Sequence, residues 1–255
     1  MQDFKDGLPI GNLSVLQKMS LGAFRQRFSL NVTPPKHFSG YEHTHFVTNE
    51  YDYPTKLNEI TTKGGLHLAV MGGLDPVFGQ VAVAKPDLTL AMDVNDQAID
   101  WTIDGRVLPL DSTTDGNNYW DKVNDFHRDV IIKTVPNRYD FPSNQDMRLG
   151  GWSSDQYFNV VQQAWQEGKI KLVAADIMDA GLDLGMTLSR EIGIPIRLVY
   201  LSNILDYGSV SRKLPSFKEK LRKGTASKVV DQNGQVIIFQ ASNTNILSME
   251  SFLQT

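Results

Sequence analysis

From Gly65 onward, short apolar runs alternate with segments that carry apolar residues at helical spacing. Leu66-His67-Leu68-Ala69-Val70-Met71 is a mostly apolar run closed by Gly72-Gly73. Leu88-Thr89-Leu90-Ala91-Met92 is a second run, ending in Asp93-Val94-Asn95. Between them Asp75-Pro76 predicts a helix start, because proline lacks the amide hydrogen that a first helical turn cannot use. That helix spans about Pro76 to Ala84 and stops near Lys85-Pro86-Asp87. Strand, glycine turn, helix and strand together make a βαβ unit.

The alternation resumes after residue 152. Ser153 with Gln156 has capping-box spacing, and Phe158, Val161, Ala164 and Trp165 share one helix face before Gly168. Lys171-Leu172-Val173-Ala174-Ala175 is a third strand, ending in Asp176-Ile177-Met178-Asp179. A helix over roughly 182–192 carries Leu184, Leu188 and Ile192 and ends at Gly193. Ile196 to Leu201 is a fourth strand that delivers Ser202-Asn203, and Pro215 to Arg222 is a short charged helix. Val236-Ile237-Ile238-Phe239 is the last core strand, and Ile246–Leu253 is a short closing segment. Asn233-Gly234 is a strong turn signal that would join Lys228–Val230 to Val236–Phe239 as an antiparallel pair.

This pattern predicts an α/β fold: a Rossmann-like, mostly parallel sheet flanked by helices. Residues 1–64 form an N-terminal extension or cover, and residues 65–255 form the cofactor-binding domain. In the extension, Leu13 to Phe28 reads as one short amphipathic helix, Pro34-Pro35 interrupts regular structure, and Tyr41 to Val47 is aromatic and partly alternating. Residues 103–152 are rich in Asp, Asn and Gly, with strand-like Val130-Ile131-Ile132 and aromatic Tyr139-Asp140-Phe141-Pro142. A structureless connection of that length is unusual. The stretch therefore reads as an insertion between the second and third core strands, with small elements of its own and a lid as one role for it.

Composition narrows the chemistry. With 255 residues, 41% hydrophobic and 21% charged, the chain has ordinary globular character. A formal charge of −4 gives no general basic field for nucleic acid. The absence of cysteine excludes disulfides, thiolate ligands and cysteine nucleophiles. No stretch approaches the roughly 18 apolar residues of a membrane span. The first residues lack a basic region followed by an apolar one, which predicts a cytoplasmic protein; a homo-oligomer is compatible with all of this.

Parallel sheets bind ligands at the carboxyl ends of their strands, near a switch in strand order. Four such ends carry polar or glycine residues here: Gly72-Gly73, Asp93 to Asn95, Asp176 to Asp179, and Ser202-Asn203. Glycines let a backbone approach a ligand closely, the next helix N-terminus suits an anion, and a carboxylate can accept hydrogen bonds from both ribose hydroxyls. Each position also has a purely structural account. Gly72-Gly73 can be a tight turn only, Asp93 can cap a helix over Asn95–Trp101, Asp176 can cap its loop, and Asn203 can satisfy local backbone.

Taken together, Gly72, Gly73, Asp93, Asp176 and Ser202-Asn203 resemble the S-adenosylmethionine-dependent methyltransferase superfamily over residues 65–241. The resemblance implies S-adenosyl-L-methionine as cofactor and an unidentified methyl acceptor as partner. It sets Gly72 and Gly73 against the methionine portion, Asp93 on the ribose, and Asp176 on the adenine amine with Ile177 or Met178 on the ring. Ser202, Asn203, Asp206 and Tyr207 would face the methyl group and its acceptor, the last three as candidate catalytic residues. In this chain the glycine loop reads Val70-Met71-Gly72-Gly73-Leu74-Asp75, without the family's three spaced glycines. A non-enzymatic protein on the same fold is one alternative. An NAD-binding oxidoreductase is another, although Gly72-Gly73 with Gly79 does not make G-x-G-x-x-G.

Other constellations carry less. His43 and His45 share one face of an extended strand, near Glu42, Glu50 and Asp52, but no spacing fixes a third metal ligand, so no metal site is assigned. G-x-S-x-G is missing around Ser202, and no phosphate-loop motif occurs. Arg212, Lys213, Lys218, Lys220, Arg222, Lys223 and Lys228, interspersed with Glu219, read as a solvated helix face, with an acidic or phosphorylated partner as the alternative.

Overall fold

In the computed structural model, which describes residues 12–29, 53–71, 74–126, 128–129, 155–202, 204–206, 211–240 and 243–254, the apolar runs form the centre of one sheet. Its strands are β1 (Leu66–Val70), β2 (Leu88–Asp93), β3 (Ile170–Ala174), β4 (Ile196–Ser202), β5 (Val230–Gln240) and β6 (Asn243–Ser248). They lie in the order β3-β2-β1-β4-β5-β6. All pairings are parallel except the last, where β6 runs antiparallel to β5. The result is a Rossmann-like α/β fold with extensions. Strands β1 and β2 are buried almost throughout, which is why they read as near-continuous apolar runs rather than alternating ones.

Helices α1 (Leu13–Lys18), α2 (Leu21–Phe28) and α3 (Tyr53–Lys56) precede the sheet. Helix α4 (Asp75–Ala84) joins β1 to β2. Between β2 and β3 come α5 (Asp96–Thr102), a π-helical turn (Ile103–Val107), α6 (Leu108–Ser112), α7 (Gly116–Phe126) and α8 (Asp155–Gln166). Helix α9 (Ala180–Ile192) leads into β4, α10 (Leu214–Ala226) into β5, and α11 (Met249–Gln254) follows β6. Parallel crossovers are right-handed. Laying β1, β2 and β3 outward therefore puts α4 and α8 on one face, and returning to β4 and β5 puts α9 and α10 on the other. The two cores agree: Val77, Phe78, Phe158 and Val161 belong to one, and Leu184, Leu188, Phe217 and Leu221 to the other.

Several expectations change in three dimensions. Asn233-Gly234 does not turn the chain into a hairpin. It lies inside β5, which continues parallel to β4 through a register shift that sets Ile196 against Val230 but Leu198 against Gln235. The extra residues bulge: Asn233 donates its backbone N–H to Asp231 Oδ1 at 2.9 Å. A Cβ on Gly234 would stand 2.6 Å from the Arg197 carbonyl oxygen, so the glycine permits close approach rather than reversal. The antiparallel partner of β5 is β6 instead.

The segment 13–28 forms two helices, because Ser20 interrupts it and accepts a hydrogen bond from the Ala23 N–H at 3.2 Å, capping a new start. Leu16, Phe24 and Phe28 are buried in the α9–α10 core. Lys171 Nζ donates to the Gln17 and Met19 carbonyls at 3.2 and 2.6 Å. Ala174 donates its N–H to Ser29 Oγ at 3.3 Å, so these residues also help cover the β3 edge. Gly168 ends α8 at φ +68°, and an added Cβ there would collide with the Gln17 carbonyl. Residues 103–126 likewise join the core, with Val107, Leu110, Tyr119, Trp120 and Val123 buried against α4 and α8. The sequence features at Val130 to Ile132, Tyr139 to Pro142, Tyr41 to Val47 and Ser153 lie outside the described residues.

Candidate cofactor site at the carboxyl edge of the sheet

The order β3-β2-β1-β4 reverses direction at β1, and the crevice of such sheets opens between the carboxyl ends of the two strands at the reversal. Register brings the relevant residues to that edge. Val70 pairs with Met92, Asp93 with Ala174, and Ala69 with Tyr200, two residues before Ser202. Met71 donates its N–H to the Met92 carbonyl at 2.8 Å, and Ala175 donates to the Asp93 carbonyl at 2.9 Å. Asp93 therefore sits one strand from β1, with Asp176 one strand beyond it and Ser202 on the other side of β1.

Asp93 is buried, and its Oδ1 accepts the Asn95 N–H at 2.9 Å. That contact is an Asx turn at the residue before α5, whose carbonyl receives the Ile99 N–H. Asp176 is engaged more heavily. Its Oδ1 accepts the Met178 N–H at 2.9 Å, its Oδ2 pairs with Lys213 Nζ at 2.5 Å, and its carbonyl receives the Gly181 N–H. Ile177 and Met178 are buried and belong to the apolar core on the α9–α10 side. Ser202 is buried at φ +50°, and Asp206 lies exposed in the 3-10 turn Ile204–Asp206. Gly72, Gly73, Asn203 and Tyr207 lie outside the described residues.

The junction from β1 to α4 is informative at its two ends. Leu74 donates its N–H to the Met71 carbonyl at 2.6 Å and adopts φ 63°, ψ −23° with its side chain fully buried. The left-handed region costs an L-residue roughly 1–2 kcal/mol, because Cβ crowds the carbonyl. Strain of this kind persists only where its surroundings hold it.

Next to Leu74 stands a feature that sequence reasoning missed. Asp75, in the first turn of α4, accepts a hydrogen bond from Arg106 Nη2 at 2.7 Å, and the two side chains are 6% and 0% exposed. Every other ion pair among the described residues has a partner at least 23% exposed. The Arg106 guanidinium lies 5.4 Å from the Trp120 ring, and Tyr119 and Trp120 meet edge-on at 5.5 Å. Burial pushes the Asp75 carboxyl up to about 7, against the opposing pull of Arg106. Burial also raises the Tyr119 hydroxyl, again opposed by Arg106. In the sequence, Asp75 reads only as a helix start. Arg106 stands in Ile103-Asp104-Gly105-Arg106-Val107, where no periodicity marks it as internal.

Deeper under α4, His67 is fully buried, with Nδ1 3.4 Å from the Thr89 hydroxyl. Desolvation lowers its pKa to about 3, with Gln80 pulling weakly the other way. It is a neutral core histidine.

Several cations in and just before α10 are engaged with neighbouring elements. Lys220 pairs with Asp179 and Asp183 of the preceding loop and α9, Lys213 pairs with Asp176, Lys218 lies 4.7 Å from the Phe252 ring, and Arg222 donates to the Leu253 carbonyl at 2.5 Å. Among the described residues no group of three or more side chains could hold a metal ion, and no helix is long and apolar enough to cross a membrane. The His43–His45 pair lies outside those residues.

No protein-family model matches the chain, and no curated protein matches it. Among solved structures, it is similar to the rRNA methyltransferase aviRa from Streptomyces viridochromogenes. That likeness has 10% identity and a TM-score of 0.37, and covers 83% of this chain and 84% of that one. At that level it carries no argument about activity, and the site has to be judged by its own geometry.

Proposed function

We propose that the chain binds S-adenosyl-L-methionine across the carboxyl ends of β1, β2 and β3 and transfers its methyl group to an acceptor beyond β4. The observation that carries this reading is Asp93, a buried carboxylate ending the strand beside the switch point. A carboxylate there fits a ribose, whose two hydroxyls are donors. In this reading Gly72 and Gly73 flank the methionine portion. Asp176 meets the adenine amine through acceptor capacity beside that used by Met178 and Lys213, and Ser202 lies on the methyl side. The cofactor supplies an electrophilic sulfonium methyl for in-line displacement, and the protein's part is to align donor with acceptor and keep water out. An acceptor that must lose a proton would give it to Asp206, with Asn203 and Tyr207 as neighbours.

A nicotinamide dinucleotide fits less well. Its pyrophosphate belongs at the N-terminus of α4, and there Asp75 already contributes a carboxylate to the first turn.

Calorimetric titration with S-adenosylhomocysteine and with NAD tests the proposal. S-adenosylhomocysteine is expected to bind and NAD is not. Asp93→Ala is expected to weaken binding by about tenfold or more, since hydrogen bonds to a charged group contribute roughly 1.5–3 kcal/mol. Folded protein that ignores S-adenosylhomocysteine would sink the reading, as would an Asp93→Ala variant that binds it like wild type.

A further inference from the structure

We propose that residues 12–29 are a strap that docks on the β3 edge and releases from it as one unit while the sheet stays folded, with Lys171 as its clasp. The inference is independent of the methyl-donor reading.

The strap lies along the edge from end to end. Near the start of β2 and β3, Gln17 donates its side-chain amide to the Asp87 carbonyl at 3.0 Å, and Lys171 Nζ binds the Gln17 and Met19 carbonyls that close α1. Near the end of β3, the Ser29 hydroxyl receives the Ala174 N–H. There Arg25 also pairs with Asp100 at 2.8 Å and with Asp96 at 3.6 Å, both on α5. Lys169 and Ala175 bond to β2, so strand alternation turns the main chain of Leu172 and Ala174 toward the outer edge that the strap covers.

Three features make this a releasable cover. Helices α1 and α2 have 6 and 8 residues, too short to persist in water unaided, so undocking and unfolding of the strap are one event. Its hold is light: Leu16, Phe24 and Phe28 are buried, but Val15 is exposed. The ion pairs of Arg25 reach well-exposed acids, where such pairs contribute little.

Lys171 is the third feature. It is the one charged residue in β3, every residue of which is buried. Its Nζ lies 5.8 Å from the Phe24 ring, and burial there lowers the ammonium to about 8. An apolar side chain would hold a permanent cover without that desolvation. A lysine instead suits both states. With the strap down, it meets the carbonyl end of α1, where a cation is favoured. With the strap up, it is hydrated, and an inward-pointing lysine keeps an uncovered edge from pairing with another chain.

Release also reaches the Asp93 end of the sheet. Ala174 is the register partner of Asp93, and Asp96 opens α5 just beyond it. Losing Ser29 and Arg25 would loosen both neighbours of that carboxylate.

Amide hydrogen exchange of the full chain tests the strap, read over residues 13–28 and, as the reference for global unfolding, over 196–202. Lys171→Ala takes a charged donor from two carbonyls and is expected to raise exchange across 13–28 by about tenfold. Exchange over 196–202 should not change. Equal acceleration of both segments would mean that the strap opens only when the whole chain unfolds. No change over 13–28 would mean that Lys171 is no clasp. Either result overturns the proposal.

If Lys171→Ala does not fold, Ser20→Ala decides, because it removes only the cap of α2. Its expected effect is about fivefold, in α1 as well as α2 and not over 196–202. An effect absent from α1, or shared with 196–202, would overturn the strap.

Discussion

The two faces of the sheet bury comparable apolar cores but treat polar groups differently. On the α9–α10 face the buried polar groups meet protein partners: Ser189 Oγ lies 2.7 Å from the Ile194 carbonyl and 2.9 Å from that of Val229, and Lys171 bonds two carbonyls of the N-terminal segment. On the α4–α8 face, Asp75 Oδ1 and Thr102 Oγ1 are buried without hydrogen bonds. Native interiors leave few such atoms, because each forfeits its interaction with water. One face is built for stability. The other leaves some of its buried polar atoms unsatisfied, Asp75 at the start of α4 among them.

The sharpest way to break this contrast is to remove Arg106. Arg106→Ala would remove the one cation facing buried Asp75, and at pH 8.5, where ionising that carboxyl is then most unfavourable, it should cost about 3–5 kcal/mol. The sign of its pH dependence follows from Asp75. A carboxyl raised in the folded state costs stability as pH rises above its unfolded value, and losing the guanidinium raises it further. The penalty should therefore be larger at pH 8.5 than at pH 6. Leu188→Ala, on the apolar face, should cost about 2–5 kcal/mol with no such trend. Urea denaturation at both pH values decides; equal pH behaviour of the two variants would erase the distinction between the faces.

A smaller effect is expected from His67. Its pKa is depressed to about 3 in the folded state, so only the unfolded chain takes up a proton as pH falls below its ordinary value. Stability should drop by about 2 kcal/mol between pH 7 and pH 5 on this account. His67→Leu should flatten that part of the denaturation profile, and a slope that survives the substitution would assign it elsewhere. The smallest effect belongs to Ser189→Ala, which should cost about 1 kcal/mol in the same assay through one lost hydrogen bond to a main-chain carbonyl. A loss of several kcal/mol there would show that the α9–α10 face depends on polar pairing as much as its opposite does.

Much of the fold was legible beforehand. The runs at 66–71, 88–92, 171–175 and 196–201 became parallel strands, because a sheet covered on both faces demands unbroken apolar sequence. Asp75-Pro76, Gly168 and Gly193 marked helix ends for local steric reasons that survive in any surroundings. Asp93 and Ser202 were found at strand ends because a strand's end is itself a local property.

The rest depended on residues far apart in the chain. Asn233-Gly234 has the local chemistry of a hairpin, yet the Arg197 carbonyl packed beside Gly234 makes it a bulge. Ile177 and Met178 follow a strand end, and it is the tertiary structure that buries them in the α9–α10 core. Arg106 looks like a surface cation until Asp75, 31 positions earlier, receives it. Local propensity and hydrophobic period determined which segments are strands and helices, and hence the α/β class. Which charge is buried, against what partner, and at what cost were decided only when the helices between β2 and β3 closed on α4. The free energy of an ionised group depends on everything within a few ångströms, and the chain brings those neighbours together from outside any local window.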